Sequence, residues 1–496
     1  MSTITTPSTA QLQRAAPDEL AGLAGGPMSR LLSRLPDRAR HHVGTQLALG
    51  LLAGFVLPTM CFVVAGALVE GFTRVALYLV AAAYVATCTL TLLEANPAFR
   101  RRRRPDPLPP SAAWEPDVTL LVVAYLPNEV EVVVESLNRL HREVQIPGAR
   151  PQILLAYNTP TDLPIENELR AMAAVIPALD LIRVEGSRSK AENVMGALPH
   201  VRGEVVAILD TDHHLRADAA TRAVRWFDAG YDVVQGRCVV RNARTNLVTR
   251  LVALEFETIY GIAHCGRSLL VDTGVFGGAN GWWRTAALRE VGLDHRMLTE
   301  DIDSSLRALM SGLRIVHDRS VISTELAPET FSAWWRQRTR WAQGWFQVTV
   351  RHARAMRRTP VLPRPTRIYW GMLLTWRELF PFLSLQVFTI LLADVILGSQ
   401  LQFGTDPFLL FSTFVTLSSG LVIAAAAWRM STDETREQVG WRTAAGCALL
   451  TPPYTLLRNA VAIAAMVREL VGDRRWLVTR RTQQAAVLPV GALTHE

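Results

Sequence analysis

The sequence has few cysteines and few charged residues for its length. Five cysteines occur in 496 residues, and none of them forms a Cys-x-x-Cys motif or the Cys/His spacing of a zinc site. This pattern argues against a disulfide framework and is typical of buried thiols in a reducing compartment. Charged residues make up 19% of the chain and hydrophobic residues 49%, a more apolar balance than in an ordinary soluble protein.

Apolar segments are concentrated near both ends of the chain. Runs without charge cover 47–68 and 75–93. Each has about the ~20 residues that a helix needs to cross a hydrocarbon core of ~30 Å. Because only a short link separates them, residues 41–96 are predicted to form two transmembrane helices.

A second membrane region is predicted in the last third of the chain. Residues 379–428 contain two further apolar runs of the length of a crossing. The preceding stretch, 351–378, is predicted to form interfacial helices, because the charged pair Arg377 and Glu378 is costly at the bilayer centre. Two prolines interrupt 443–467, and basic residues follow it, which favours a re-entrant or further membrane segment.

The net charge of +8 comes from arginines that lie beside the apolar runs. The positive-inside rule therefore predicts a multi-pass protein of the cell membrane (inner or plasma membrane), with the middle of the chain in the cytosol. Residues 1–40 are predicted to be a disordered cytosolic tail, and 468–496 a basic cytosolic tail. Because membrane flanks explain the position of the charge, no nucleic-acid partner is predicted.

Residues 115–350 have the pattern of an α/β domain. Runs typical of buried strands at 118–124, 153–156 and 205–209 alternate with helical stretches. This alternation predicts a mostly parallel sheet, with ligands bound at the carboxyl ends of its strands.

An acidic pair directly follows the third of these strands. Asp210 and Asp212 are separated by one residue, so in an extended segment their side chains point to the same side. Carboxylates suit Mg²⁺ and Mn²⁺, and both ions keep open positions for phosphate oxygens. The pair is a candidate metal site. A solvated loop or a helix cap is the alternative, since Asp301 and Asp303 repeat the same pattern.

Two polar segments lie at predicted helix starts. Lys190 and Asn193 follow a loop, where a lysine can meet a diphosphate and an asparagine can bind a ribose or fix the loop; a solvated lysine is the alternative. Asp301 opens an amphipathic helix, where an acidic residue serves either as a helix cap or as a general base.

A third polar segment contains Gln337, Arg340 and Trp341. Arginine can bind phosphate oxygens with two hydrogen bonds, and tryptophan presents a flat face to a ring. The alternative is an amphipathic helix at the membrane surface, where both residue types are common.

Taken in order, these segments resemble the family 2 processive glycosyltransferases, which include cellulose, hyaluronan, mannan and bacterial poly-N-acetylglucosamine synthases. The matching motifs are Lys-Ala-x-Asn, Asp-x-Asp-His, Thr-Glu-Asp and Gln-x-x-Arg-Trp, at 190–193, 210–213, 299–301 and 337–341. The resemblance spans residues 117–347. It implies an α/β A-type glycosyltransferase domain, with a mostly parallel mixed sheet, inserted in an α-helical transmembrane region.

The resemblance also implies site residues. Asp301 would be the catalytic base, and Asp210 and Asp212 would hold the metal, Mg²⁺ or Mn²⁺. Donor and acceptor binding would fall to Tyr125, Glu129, Lys190, Asn193, Asp210, Gln337, Arg340 and Trp341. One base without a second carboxylate nucleophile suits direct displacement with inversion.

The implied partners are a nucleotide-diphosphate sugar donor, a polysaccharide or glycolipid acceptor and membrane lipid, with an accessory export subunit as a further candidate. The implied reaction is sugar transfer to a growing β-linked polysaccharide. One alternative is a non-processive transferase that glycosylates a membrane lipid, and another is an inactive membrane scaffold or transporter component.

The sequence departs from the family after the second strand. Many members have an acidic pair there that contacts the base of the nucleotide, whereas this chain has Asn158 and no acid before Asp162. The nucleotide base is therefore left open between uridine and guanosine.

Overall fold

A computed structural model describes residues 43–100, 114–398 and 405–473. The predicted N-terminal tail at 1–40 and nearly all of the predicted basic tail at 468–496 lie outside these ranges.

The middle of the chain forms one eight-stranded sheet in the order β3-β2-β1-β4-β7-β6-β8-β5. Four neighbouring pairs are parallel (β1/β2, β2/β3, β1/β4 and β6/β8), and three are antiparallel (β4/β7, β6/β7 and β5/β8). The predicted mostly parallel mixed sheet is confirmed. The strands are β1 Val118–Tyr125, β2 Gln152–Asn158, β3 Leu179–Arg183, β4 Val205–Asp210, β5 His214–Leu215, β6 Val233–Val240, β7 Gly281–Arg284 and β8 Ile315–Glu325.

Both faces of the sheet are covered, which explains why its central strands are apolar without alternation. In β1, Leu120 and Val122 pack into one buried cluster, and Leu121 and Val123 pack into the cluster on the opposite face. Every residue of β2 is buried. The helices of this domain are α4 Leu126–Glu129, α5 Val133–Glu143, α6 Ile165–Val175, α7 Lys190–Ala197, α8 Ala219–Asp228, α9 Leu247–Phe256, α10 Cys265–Val271, α11 Thr285–Val291, α12 Glu300–Met310 and α13 Phe331–Arg358, with a π-helix at Glu257–His264.

Four helical spans of the described chain are long and apolar enough to cross a membrane, two before the sheet and two after it. The first is built from α1 Val43–Leu51, a π-helical turn at Leu52–Val56 and α2 Leu57–Leu68, and the others are α3 Phe72–Arg100, α14 Arg364–Leu397 and α15 Pro407–Arg429. They flank the sheet domain on both sides in sequence.

The second membrane region differs in detail from its predicted boundaries. In place of a break at residue 378, α14 runs without interruption from Arg364 to Leu397. The guanidinium of Arg377 stacks on Trp345 of α13, 4.1 Å from the ring centre, and lies 3.5 Å from the carboxylate of Glu378. Because Arg377 has partners in Trp345 and Glu378, the helix does not have to end there.

The predicted segment at 443–467 forms two helices, α17 Trp441–Leu449 and α18 Thr451–Leu470, preceded by the short α16 Asp433–Val439. α18 packs along α13. Near its end the carboxylate of Glu469 accepts hydrogen bonds from the amides of Gln343 and Gln347, at 2.9 and 2.8 Å. A re-entrant path through a membrane stays a prediction for this segment.

One close contact joins the sheet domain to the membrane helices. α10 lies against α3 so tightly that a methyl group at Gly266 would come within 1.9 Å of the Glu94 carbonyl oxygen. The Glu94 carboxylate also pairs with Arg267 at 3.0 Å and accepts a hydrogen bond from the Tyr369 hydroxyl at 2.6 Å. This junction ties α3, α10 and α14 together.

We expect Gly266→Ala to destabilise the protein. The added methyl group must push α10 away from α3, and overpacking of this kind costs about 1–3 kcal/mol even though alanine is the better helix former. The matched control is Gly446→Ala, since Gly446 lies in a helix with no atom within 4 Å of the added group. Thermal unfolding in detergent should show a lower midpoint for the first variant only. Equal midpoints would contradict this account of the junction.

Candidate active site

A cleft of about 700 Å³ opens at the carboxyl ends of the central parallel strands. Nine of the ten site residues predicted from the sequence line it: Tyr125, Glu129, Lys190, Asn193, Asp210, Asp301, Gln337, Arg340 and Trp341. The tenth, Asp212, is fully buried next to Asp210. Residues up to 216 positions apart in the sequence therefore meet around one cavity, as parallel strands that end at a common edge require.

The acidic pair lies on a turn and not on an extended segment. β4 ends at Asp210, and the backbone N–H of His213 donates to the Asp210 carbonyl at 2.9 Å. Between the two acids, the Thr211 hydroxyl bonds to the Val123 carbonyl at 2.9 Å and to the Glu129 carboxylate at 2.7 Å. The two carboxylates converge because the chain turns. The sequence predicts the convergence from an extended segment, and that reason is wrong.

Donor atoms of Asp210, Asp212 and His213 all lie within 4.8 Å of one another, close enough for one ion. The Asp212 carboxylate accepts the Leu326 backbone N–H at 3.0 Å, which orients it. Both ring nitrogens of His213 already have partners, Ser323 Oγ and the Glu325 carboxylate, each at 3.0 Å. The donors best placed for an ion are therefore carboxylate oxygens, and such a set fits Mg²⁺ or Mn²⁺.

Lys190 connects the acidic turn to the opposite wall of the cleft. Its ammonium group forms an ion pair with the Asp210 carboxylate and donates to the Gly278 carbonyl at 2.6 Å. Lys190 is the first residue of α7, whose start is capped by the Ser189 hydroxyl. A positive charge at a helix start, next to a carboxylate, suits an anionic ligand that binds together with a metal cation.

Asn193 lines the cleft and also forms hydrogen bonds within the domain. Its amide donates to the Ala124 carbonyl at 3.1 Å and to the Asn158 side chain at 2.7 Å. Asn158 in turn donates to the Ser187 carbonyl at 2.9 Å. Asn158, at which the sequence departs from the family pattern, thus stabilises the loop before α7. The next acid, Asp162, forms an exposed ion pair with Arg183 at 2.6 Å.

Asp301 lies in the first turn of α12, with its side chain toward Gly278. One carboxylate oxygen accepts the Ile302 backbone N–H at 2.8 Å. Burial raises the pKa of the Asp301 carboxyl to about 7; the neighbouring Glu300 carboxylate adds to the rise, and Lys190 and Arg340 oppose it. A carboxyl group that titrates near neutrality can accept a proton at physiological pH.

Asp303, the second acid of the repeated pattern, has a different environment. Two residues along a helix point to nearly opposite sides, so Asp303 is fully buried between α12 and α13. It pairs with Arg307 at 2.8 Å, Arg351 at 3.1 Å and His352 at 2.7 Å. Burial by itself would raise the pKa of Asp303, but these partners outweigh it and lower the pKa to about 2.

The segment with Gln337, Arg340 and Trp341 lies within α13. Arg340 donates to the Leu298 carbonyl at 3.4 Å, next to the turn that leads to Asp301. Trp341 packs against Phe256, and the guanidinium of Arg338 lies 4.2 Å from the centre of the Trp341 ring. The guanidinium of Arg338 therefore covers part of the Trp341 ring surface that the sequence analysis had assigned to stacking with a ligand.

Sequence reasoning missed Gln235, which shapes the loop after α10. This fully buried side chain accepts the Gly277 N–H at 2.7 Å and donates to the Ala279 carbonyl at 3.0 Å. Between those contacts Gly278 has φ +93°, a conformation that favours glycine, and turns its carbonyl toward Lys190. No sequence motif distinguishes a single glutamine within a strand.

Other residues that line the cleft were also missed, namely Tyr260, Arg296, Glu300, Glu325 and Arg336. For Glu325 a signal existed, because it ends a long strand, at the edge of a sheet where ligands bind. Glu300 was missed because the sequence analysis assigned the function of this motif to its neighbour Asp301.

The fold defines the structural class of the sheet domain. A solved structure of the mannosyltransferase PcManGT from Pyrobaculum calidifontis, in complex with GDP-Man and Mn²⁺, superposes with a TM-score of 0.51 at 22% identity. The match covers 77% of this chain and 99% of that one. The sheet domain therefore has the A-type glycosyltransferase fold, as predicted.

The sequence comparisons relate the chain to one family group of glycosyltransferases. Residues 205–428 match the model of the family described as glycosyl transferase family group 2. The chain is 27% identical over 234 residues to a probable glycosyltransferase, YdaM, of Bacillus subtilis (strain 168), and 25% identical over 239 residues to the poly-beta-1,6-N-acetyl-D-glucosamine synthase of Staphylococcus aureus (strain COL). These matches cover 46% and 47% of this chain, and 55% and 56% of the relatives, so the chain spans about half the length of the curated relatives it matches. Residues 205–428 are therefore similar to the glycosyltransferases of this family group.

We expect Asp212→Ala to weaken Mn²⁺ binding by at least about tenfold, since loss of even an outer partner costs a metal site that much. The measurement is Mn²⁺ titration with and without GDP or UDP, followed by electron paramagnetic resonance or calorimetry. Asp162→Asn, outside the cleft, is the control and should bind as the parent does. Unchanged Mn²⁺ affinity in a folded Asp212→Ala protein would exclude this turn as the metal site.

Proposed function

We propose that the protein is an inverting, metal-dependent glycosyltransferase, which moves a sugar from a nucleotide-diphosphate donor to a growing β-linked polysaccharide at the membrane. The observation that carries the proposal is the meeting of Asp301 and Asp210 in one cleft of about 700 Å³. Their environments separate their roles, because Asp301 has a raised pKa, whereas Asp210 is paired with Lys190.

The donor is assigned to the Lys190 side of the cleft. Asp210 and Asp212 would hold Mg²⁺ or Mn²⁺, which neutralises charge on the departing nucleotide diphosphate when it is bound. Lys190 and Arg340 add positive charge for the phosphate oxygens, and Tyr125 and Glu129 lie where the first parallel strand ends. The relative solved with GDP-Man and Mn²⁺ is consistent with a donor and an ion of this kind.

The acceptor is assigned to the Asp301 side. Its hydroxyl attacks C1 of the sugar while Asp301 takes the proton, the bond from C1 to the diphosphate breaks, and the electron pair leaves with the nucleotide. Gln337 and Trp341 of α13 would hold the acceptor end. One displacement inverts the configuration at C1.

The four apolar spans support a multi-pass protein of the cell membrane, with the catalytic domain in the cytosol, where nucleotide-sugars are available. A polysaccharide acceptor, with an accessory export subunit as a further partner, agrees with the polysaccharide synthase among the relatives. The second candidate acceptor is a membrane lipid, and the size of the labelled product separates the two.

We expect Asp301→Asn to abolish sugar transfer, with a loss of at least about 10²-fold, because the proton of the acceptor hydroxyl has no base to receive it. Donor binding should persist, as measured by the rise in melting temperature that nucleotide-sugars with Mn²⁺ produce. Asp228→Asn, an exposed change at the end of α8, is the control. Turnover close to that of the parent in Asp301→Asn would remove Asp301 from this role.

The pH dependence of transfer should reflect the raised pKa of Asp301. Asp301 acts as a carboxylate, so kcat/KM should fall as the pH drops through about 7, where the group becomes protonated. Glu300→Gln removes a negative charge that raises this pKa, and the acid limb should therefore move to lower pH. A limb that stays in place in Glu300→Gln would show that another group titrates.

A further inference from the structure

A second large cavity lies between the membrane helices. It has a volume of about 770 Å³ and is bounded by α3, α14, α15, α17 and α18, with α9 and the π-helix at one end. On α15 its lining runs from Leu409 to Ala427. The rise over this stretch of helix is about 27 Å, close to the ~30 Å of a hydrocarbon core, so the cavity follows most of the membrane depth.

The lining offers little to a sugar. Most of its side chains are aliphatic or aromatic, and most of its hydroxyl groups already donate within the protein. Four threonines bond to the carbonyl one turn earlier in their own helices, namely Thr87, Thr91, Thr413 and Thr416. Ser412 donates to the Ala81 carbonyl and Tyr84 to the Ser384 carbonyl, at 3.1 and 2.9 Å. A polysaccharide here would lose its hydrogen bonds to water without replacing them, whereas a hydrocarbon chain loses none.

The end of the cavity nearest the sheet domain is polar. The Glu255 carboxylate is buried and accepts from Arg338 and from the Tyr454 hydroxyl, both at 2.7 Å, and Arg458 lies 3.4 Å away. The Arg458 side chain is 50% exposed. Two guanidinium groups against one carboxylate leave this end positive, which complements an anionic headgroup.

This polar end adjoins the candidate active site. Arg338, which holds Glu255, also lies over the ring of Trp341, and Trp341 and Phe256 line the catalytic cleft. One layer of side chains therefore separates the two cavities.

We propose that this cavity binds a hydrocarbon chain of an anionic phospholipid with a hydroxylated headgroup, and that this lipid is the acceptor. The inference rests on the proposed function and selects its lipid alternative. A headgroup hydroxyl attacks C1 of the sugar, Asp301 takes its proton, and the nucleotide diphosphate leaves with the electron pair. The product is a glycosylated phospholipid.

The binding experiment uses the full-length protein, delipidated in detergent and offered phosphatidylglycerol, with bound lipid counted by native mass spectrometry. Ala424→Phe places a ring in the cavity and should lower lipid occupancy at least about tenfold, since a few displaced methylene groups change affinity by that factor. Ala425→Phe is the matched control, because Ala425 is next to Ala424 on the same helix but is exposed and lies outside the lining. Ala448→Phe, on α17, also places a ring in the cavity and replaces Ala424→Phe if that variant melts early.

The headgroup is tested in nanodiscs of phosphatidylglycerol or of phosphatidylcholine. Arg458→Gln should abolish the preference for the anionic lipid, and Arg442→Gln, an exposed change on α17, should retain it. Labelled sugar, from UDP-N-acetylglucosamine or GDP-mannose, should enter the organic extract with the parent and Ala425→Phe, and not with Ala424→Phe.

Two results would overturn the inference. Equal lipid occupancy in Ala424→Phe, Ala448→Phe and the parent would show that the cavity holds no lipid chain. Lost lipid occupancy with unchanged transfer into a water-soluble polymer would reject the acceptor role and leave the polysaccharide proposal standing. The proposed function fails separately, through unimpaired transfer by Asp301→Asn.

Discussion

The arrangement of the catalytic cleft depends on a buried cluster of charges between α12 and α13. Asp303 is completely enclosed, and Arg307, Arg351 and His352 surround it within 3.1 Å. A buried carboxylate is tolerated only with such partners, and removal of one partner typically costs about 3–5 kcal/mol. Because Asp301 lies two residues before Asp303, the cluster also sets the position of the candidate base relative to α13.

The same helix extends this constraint toward the membrane region. α13 contributes Gln337, Arg340 and Trp341 to the cleft, and one face further along it meets Glu469 of α18 through Gln343 and Gln347. Gln347 also accepts the backbone N–H of Leu298, just before the turn to Asp301, at 3.1 Å. A movement of α18 would therefore reach the part of the cleft around Asp301 through hydrogen-bonded contacts.

Two cavities with opposite chemistry share this framework. The cleft is lined by carboxylates, lysine and arginine, whereas the cavity between the membrane helices is apolar except at one end. Their common wall contains Glu255, Arg338 and Trp341. Such an arrangement suits an enzyme that brings a water-soluble donor and a membrane-held acceptor to one place.

Local patterns in the sequence were sufficient for the class of fold and for nine of the residues that line the cleft. Uninterrupted apolar runs predict buried parallel strands, as at Val118–Tyr125, and mostly apolar runs of membrane length predict the four spans, because both patterns reflect burial along a continuous stretch. Motif order then identified Lys190, Asp210 and Asp301. These inferences need only neighbours along the chain.

Only the tertiary structure decided how those residues are used. The turn at Asp210–Asp212, the different environments of Asp301 and Asp303 and the brace formed by Gln235 all depend on partners far away in sequence. The same holds for the uninterrupted α14, in which Arg377 stacks on Trp345, and for the apolar lining of the second cavity. Desolvation and hydrogen bonding act between atoms in space, so a residue's protonation and accessibility cannot be read from the order of residues alone.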